Sequence, residues 1–304
     1  MRILVSIKPR FIGDTVMATP LLRGLLAKGH KVAITLRPHV FSVIAPDFPD
    51  VKNLDIKESK VFSASRVLRQ EKFDAVLIIN RSARSALVAW LAQIPVRVGV
   101  PSEGRGMLLT HKTVAREDQP EFESDADLAR AIGIPLDLET PHLTVSDSER
   151  ARGVELLEGH NVLIQPGASF KEKALTYDQL GHVSKSLHAA GHRLVLVGGK
   201  EEVDHVAPMM ELGVPFLNLI GKCSLRETMG VIASADLLVS PDTGLVHLAT
   251  ALGSKALTVF GPSNPVRWGY VSPRNVVLKD ASGLMDRVSK ESIADAALDM
   301  LSRG

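Results

Sequence analysis

A chain of 304 residues exceeds what one hydrophobic core ordinarily supports, so two domains of about 150 residues each are expected. Hydrophobic residues make up 45% of it, and 36 basic against 34 acidic side chains leave a formal net charge of only +2, which excludes the strongly basic footprint of a nucleic-acid binder. A lone cysteine, Cys223, excludes an intrachain disulfide or a thiolate cluster and points to a reducing compartment, the cytoplasm.

The first apolar run, Ile3 to Ile7, is closed too soon by Lys8 to be a signal peptide and reads as a buried strand. No segment reaches the roughly 20 apolar residues of a membrane span; the longest candidate, Ala86 to Ile94, is helix-like and too short. A peripheral contact with the inner face of the cytoplasmic membrane stays open. Helical periodicity follows from Val16 to Leu26, a second strand from Val32 to Leu36, a third from Phe73 to Ile79 and a helix from Ala83 to Ala92. Such alternation predicts βαβ units and a parallel sheet.

Polar residues and a proline then interrupt the pattern between Asp137 and Glu149, before a helix to Leu157. The expected boundary lies near 145–158, with one domain over 1–150 and the other over 151–304. A second series begins with the strand Asn161 to Ile164. It continues with helix Tyr177 to Ala190, strand Arg193 to Val197, helix Leu225 to Ser234, strand Leu237 to Ser240, helix Leu245 to Leu252 and strand Ala256 to Phe260. A last amphipathic helix, Ser289 to Leu301, puts Ile293, Ala296, Ala297 and Met300 on one face.

Open α/β sheets bind ligands beyond the carboxyl ends of their strands, so four loops attract attention. After the first strand, Lys8-Pro9-Arg10-Phe11-Ile12-Gly13-Asp14-Thr15 puts a carboxylate at a helix start, where Asp14 or Thr15 serves as an ordinary cap or Asp14 as a general base. In the second half, Gln165-Pro166-Gly167 leads to Lys171 and Lys173: Gly167 permits close backbone approach, and the lysines either neutralise a diphosphate or are merely solvated. The pair Gly198-Gly199 ends a strand without forming a GxGxxG fingerprint. In Ser240-Pro241-Asp242-Thr243-Gly244-Leu245-Val246-His247 a strand gives way to a helix whose positive end offers N–H groups to a pyrophosphate. There is no HExxH, Walker A, GxSxG or DxD pattern, which favours a metal-independent mechanism.

Taken together, 11–23 around Gly13-Asp14-Thr15, the loop Gln165-Pro166-Gly167-Ala168 with Lys173, and 240–249 around Asp242-Thr243-Gly244, continuing through Val259 to Pro265, resemble glycosyltransferase family nine, the ADP-heptose:lipopolysaccharide heptosyltransferases. That resemblance implies an α/β chain of GT-B architecture, two Rossmann-like domains with parallel sheets facing across a cleft. It also implies an inverting transfer without metal or cofactor from a nucleotide diphosphate sugar, ADP-heptose, to an anionic glycan or glycolipid acceptor. The donor would lie on the C-terminal domain and the acceptor on the N-terminal domain.

By matching motif, Asp14 is the expected catalytic base. Gly167, Lys173 or Lys171, Gly198, Asp242, Thr243, Gly244 and His247 form the expected donor site, and Glu227, beside Arg226, falls nearest the family's acidic ribose contact. An anionic acceptor calls for basic groups near N-terminal strand ends, namely Lys8, Arg10, Arg81 and Arg84. Two alternatives remain: a non-catalytic nucleotide-sugar-binding module, and a sugar-nucleotide epimerase or hydrolase of the same architecture.

Overall fold

The computed structural model describes the chain except residues 57–58, 103, 270–273 and 304. Its contacts divide it into Met1–Pro141 and His142–Gly304, upstream of the expected 145–158. The division falls earlier because the helix Asp147–Leu157 packs on Leu225–Ser234 and so belongs to the second unit.

In the first unit the strands are β1 (Arg2–Ser6), β2 (Lys31–Ile34), β3 (Lys52–Asn53), β4 (Ala75–Ile78), β5 (Val96–Gly99) and β6 (His111–Lys112). They form one parallel sheet in the order β3-β2-β1-β4-β5-β6. Its α-helices are α1 (Ile12–Met17), α2 (Thr19–Ala27), α3 (Pro38–Phe41), α4 (Val61–Gln70), α5 (Ala83–Leu91) and α6 (Glu121–Arg130). Central strands of a parallel sheet are covered on both faces and read as continuous apolar runs; Ile3, Leu4 and Val5 of β1 are all buried.

The expected helix Val16 to Leu26 is two helices, α1 and α2, meeting at Ala18. Pro20 has no N–H with which to bond the Val16 carbonyl, and the Thr19 hydroxyl donates to that carbonyl instead, at 2.7 Å.

The second unit repeats the topology. Its strands β7 (Val162–Ile164), β8 (Leu194–Leu196), β9 (Phe216–Asn218), β10 (Leu237–Pro241), β11 (Ala256–Phe260) and β12 (Asn275–Lys279) run parallel in the order β12-β11-β10-β7-β8-β9. The helices are α7 (Asp147–Leu157), α8 (Tyr177–Ala189), α9 (Val206–Met210), α10 (Leu225–Ser234), α11 (Gly244–Ala251), α12 (Pro265–Trp268) and α13 (Lys290–Ser302). Helix α13 is capped by Ser289, whose hydroxyl accepts from the Ser292 amide, and buries Ile293, Ala294, Ala297 and Met300, with Ala296 partly buried beside them.

In each sheet the order reverses beside the first strand: β1 lies between β2 and β4, and β7 between β8 and β10. The loops leaving β1 and β4, and those leaving β7 and β10, therefore flank a switch point, where doubly wound sheets hold their ligands. Among the described residues no helix is long and apolar enough to cross a membrane.

Candidate active site

In the first unit the loop after β1 brings Lys8 and Asp14 together, Nζ to Oδ1 at 3.3 Å. Neither Asp14 nor Thr15 caps α1: the cap position is Phe11, which makes no side-chain capping bond, and the Thr15 hydroxyl donates back to the Phe11 carbonyl at 2.9 Å. Asp14 lies in the first turn of α1, near the positive helix end, with a side chain only 19% exposed. Burial pushes its carboxyl above the usual aspartate value and outweighs the opposing effect of Lys8, while Glu121 adds to the rise. A carboxylate made more basic by burial, yet still partly open to solvent, is suited to accept a proton.

After β4, Arg81 adopts a left-handed conformation, φ 51°, that few side chains tolerate. Asn80 holds this turn, its amide donating to Ser6 Oγ, the Ile7 carbonyl and Ser85 Oγ at 3.0, 3.2 and 2.9 Å. Arg84 does not reach outward alone: its guanidinium donates to the Ser59 carbonyl at 2.7 Å and, more weakly, to that of Ile56. Arg10 is exposed beside the loop after β1.

In the second unit the loops after β7 and β10 are joined by side chains. Lys173 Nζ donates to Asp242 Oδ2 at 2.7 Å. Asp242 is buried, and His247, on α11, places Nε2 3.8 Å from Oδ1 of the same carboxylate. Burial keeps the His247 imidazole below its usual pKa, against the pull of Asp242, so it is neutral near pH 7. The edge of Trp268 lies against it, ring centroids 6.2 Å apart. Lys171 is exposed; of the two lysines, Lys173 is the one tied to the β10 loop.

Thr243 occupies the cap position of α11 but makes no capping bond; its hydroxyl is turned to Gln165 Oε1, to which it donates at 2.6 Å. Ser240 donates to the same oxygen at 2.8 Å. Gly244 is the first residue of α11, whose positive end carries no side-chain cap.

Glu202 is the residue that motif reasoning missed. It is buried, accepts from Gln165 Nε2 at 2.9 Å and from the Gly199 amide at 2.7 Å, and burial raises its carboxyl above the usual glutamate value. A side chain at Gly167 would come within 2.8 Å of Glu202 Oε1, and one at Gly198 within 2.5 Å of Oε2. These glycines therefore make room for Glu202, a reason distinct from the ligand approach expected of them. His205 stands beside it, its Nδ1 2.8 Å from the Tyr177 hydroxyl. Glu227, by contrast, forms the capping box of α10 with Ser224 and lies 3.5 Å from Arg152, a structural assignment that accounts for an acidic residue there.

Residues 61–297 match the sequence model of glycosyltransferase family 9 (heptosyltransferase). The chain is 25% identical over 323 residues to lipooligosaccharide heptosyltransferase 2 of Haemophilus influenzae, spanning 95% of this chain and 92% of that one. It is 28% identical over 295 residues to lipopolysaccharide heptosyltransferase 2 of Escherichia coli, spanning 87% and 84%. In structure it is similar to E. coli ADP-heptose lps heptosyltransferase II, with a TM-score of 0.82 over 100% of this chain and 99% of that one at 24% identity. Two Rossmann-like α/β units of this kind constitute the GT-B fold. With the family match extending over most of its length, the chain belongs to glycosyltransferase family 9 and is a glycosyltransferase.

Proposed function

We propose that this enzyme transfers heptose from ADP-heptose to a hydroxyl of a lipopolysaccharide core or related anionic glycan, with inversion and without a metal ion. The observation that carries the mechanism is Asp14, a carboxylate made more basic by burial at the carboxyl end of the central strand β1. Asp14 takes the acceptor proton as the acceptor oxygen bonds to the anomeric carbon. The bond from that carbon to the diphosphate breaks on the opposite face, ADP leaves with the electron pair, and the centre inverts.

The second unit supplies the donor site in this reading. Lys173 and the first turn of α11, from Thr243 and Gly244 onward, offset the charge developing on the diphosphate. Asp242 orients Lys173 and neutral His247. In this reading Glu202, beside the loops after β7 and β8, accepts from a donor hydroxyl, while Glu227 is engaged in the cap of α10. Lys8 and Arg10 carry the acceptor's negative charge, with Arg81 and Arg84 alongside. The relatives' names describe a nucleotide sugar and a glycan carried on lipid; we place the reaction in the cytoplasm, with peripheral contact at the inner face of the membrane.

Calorimetry with ADP, GDP, UDP and ADP-heptose tests the assignment, using Thr243→Asp to put a negative charge at the proposed phosphate site. Selective binding of ADP and ADP-heptose, lost in that variant, is expected. Selective binding of a different nucleotide would redirect the donor, and no binding of any would remove the transferase mechanism.

A further inference from the structure

Gln165 is the residue that follows β7, and its backbone N–H donates to the Val239 carbonyl at 3.0 Å, which seats it beside Ser240 on β10. Its side chain is bonded at both ends. Nε2 donates to Glu202 Oε1 at 2.9 Å, and Oε1 accepts from Ser240 Oγ at 2.8 Å and from Thr243 Oγ1 at 2.6 Å. One amide thus joins the segment after β8, the strand β10 and the cap position of α11. An ionised carboxylate only accepts, so Glu202 takes the NH₂ end and leaves the oxygen to the two hydroxyls. The Gly199 amide, donating to Glu202 Oε2 at 2.7 Å, fixes the carboxylate in turn.

We infer that Gln165 is a positioning residue for the diphosphate: it holds the Thr243 side chain turned toward β7 and so keeps the first amides of α11 open to the donor's phosphates. The inference rests on the donor-site reading above and adds to it a residue that does not meet the ligand. Gln165 is only 5% exposed, too little to share in a phosphate contact, so what it does to the donor it does through Thr243.

Thr243 is otherwise equipped to cap. Its backbone, φ −139° and ψ 174°, is extended as a cap position requires, and a threonine hydroxyl there ordinarily accepts from the second or third amide of the helix. Ser146, Thr176 and Ser224 do so at the starts of α7, α8 and α10. A hydroxyl that donates can still accept, so the bond to Gln165 acts through the rotamer it selects, which sets where the oxygen lies. With Oγ1 drawn to Gln165, no side-chain cap forms on α11.

A cap and a phosphate compete for the same N–H groups. A capping bond shifts a helix equilibrium by about fivefold, and a phosphate that had to displace one would bind more weakly by about that factor.

The full chain, labelled for NMR, reports the Thr243 rotamer through the three-bond couplings of its methyl carbon, and calorimetry with ADP reports the phosphate site. Gln165→Met nearly keeps the shape and removes both polar ends. It should move Thr243 to another rotamer, shift the amide protons of Leu245 and Val246, and weaken ADP about fivefold. The same substitution leaves Glu202 one donor short, an effect common to any background. In a Thr243→Val background, where no hydroxyl is left to turn, Gln165→Met should change ADP affinity by less than about twofold. A Thr243 rotamer that stays as in the native chain would overturn the inference. So would an equal loss of ADP affinity in both backgrounds, since Gln165 would then act through the fold alone. A rotamer that moves in a chain that binds no ADP would keep the hold of Gln165 on Thr243 and remove the donor reading.

Discussion

Lys8 Nζ and Asp14 Oδ1 lie 3.3 Å apart at the carboxyl end of β1, an ion pair in which the cation opposes what burial does to the acid. A general base works as the carboxylate, so activity falls as pH drops through its pKa. Burial sets that limb above where an ordinary aspartate would put it, and Lys8 holds it down. In Lys8→Met the acidic limb of the kcat/KM profile should move to higher pH, and Asp14→Asn should lower turnover by about a hundred- to ten-thousand-fold with ADP binding nearly unchanged. A limb that stays where it was in Lys8→Met would show that another group titrates.

Removing Lys173 should separate binding from folding. Lys173→Met leaves the buried Asp242 carboxylate without its ion-pair partner, and the second unit should lose about 1–3 kcal/mol by urea titration while ADP affinity falls. The double variant Lys173→Met/Asp242→Asn removes the orphaned charge as well. Stability should return and ADP affinity should not, as followed by calorimetry. If affinity returned with stability, Lys173 would be acting through the fold alone.

The pair Arg226 and Glu149 ties α10 to α7 at 2.5 Å, and the guanidinium holds the Glu149 carboxyl down at about 2 from an ordinary 4.5. A carboxyl depressed on folding stabilises above its unfolded pKa, and that stabilisation is lost as pH falls through the folded one. Arg226→Gln should therefore cost about 2 kcal/mol at pH 7. The gap between variant and native chain should narrow once the pH drops below about 4. Urea midpoints between pH 7 and pH 3 measure it; a gap independent of pH would mean that packing and not charge is lost.

Where α7 crosses α10, a Cβ on Gly153 would collide with the Gly230 carbonyl, and one on Gly230 with that of Glu149. Gly153→Ala must push the helices apart, an overpacking that costs about 1–3 kcal/mol despite alanine's better helix propensity. An unchanged urea midpoint would show that the crossing yields freely.

The parallel strands were legible because buried central strands are long apolar runs: Ile3 to Val5 and Leu237 to Val239 announce themselves. Edge strands such as Lys52–Asn53 and His111–Lys112 are two residues long and largely exposed, so neither periodicity nor composition marks them. The break between α1 and α2 was written in Thr19-Pro20, and the long helical run around it concealed it.

In the candidate site, Asp14, Asp242 and Thr243 could be found because each sits in one short strand-to-helix loop. Glu202 could not, since its burial arises only when the loops after β7 and β8 close on it and Gly167 and Gly198 leave the space. Glu227 drew attention by its position in the chain, and the same position makes it a cap. Gln165, Glu202 and Thr243 come from three separate segments and meet only in three dimensions.

Thr243 spends its hydroxyl on Gln165 and leaves α11 without a side-chain cap, so the helix begins on a bond it has not made. A bound anion would then be the last piece of that secondary structure. The amides at the start of α11 should exchange with solvent deuterium far more slowly once a nucleotide diphosphate arrives, while those in its middle change little. The helix would thereby record occupancy in its own rate of fraying, and the donor would order the surface that receives it.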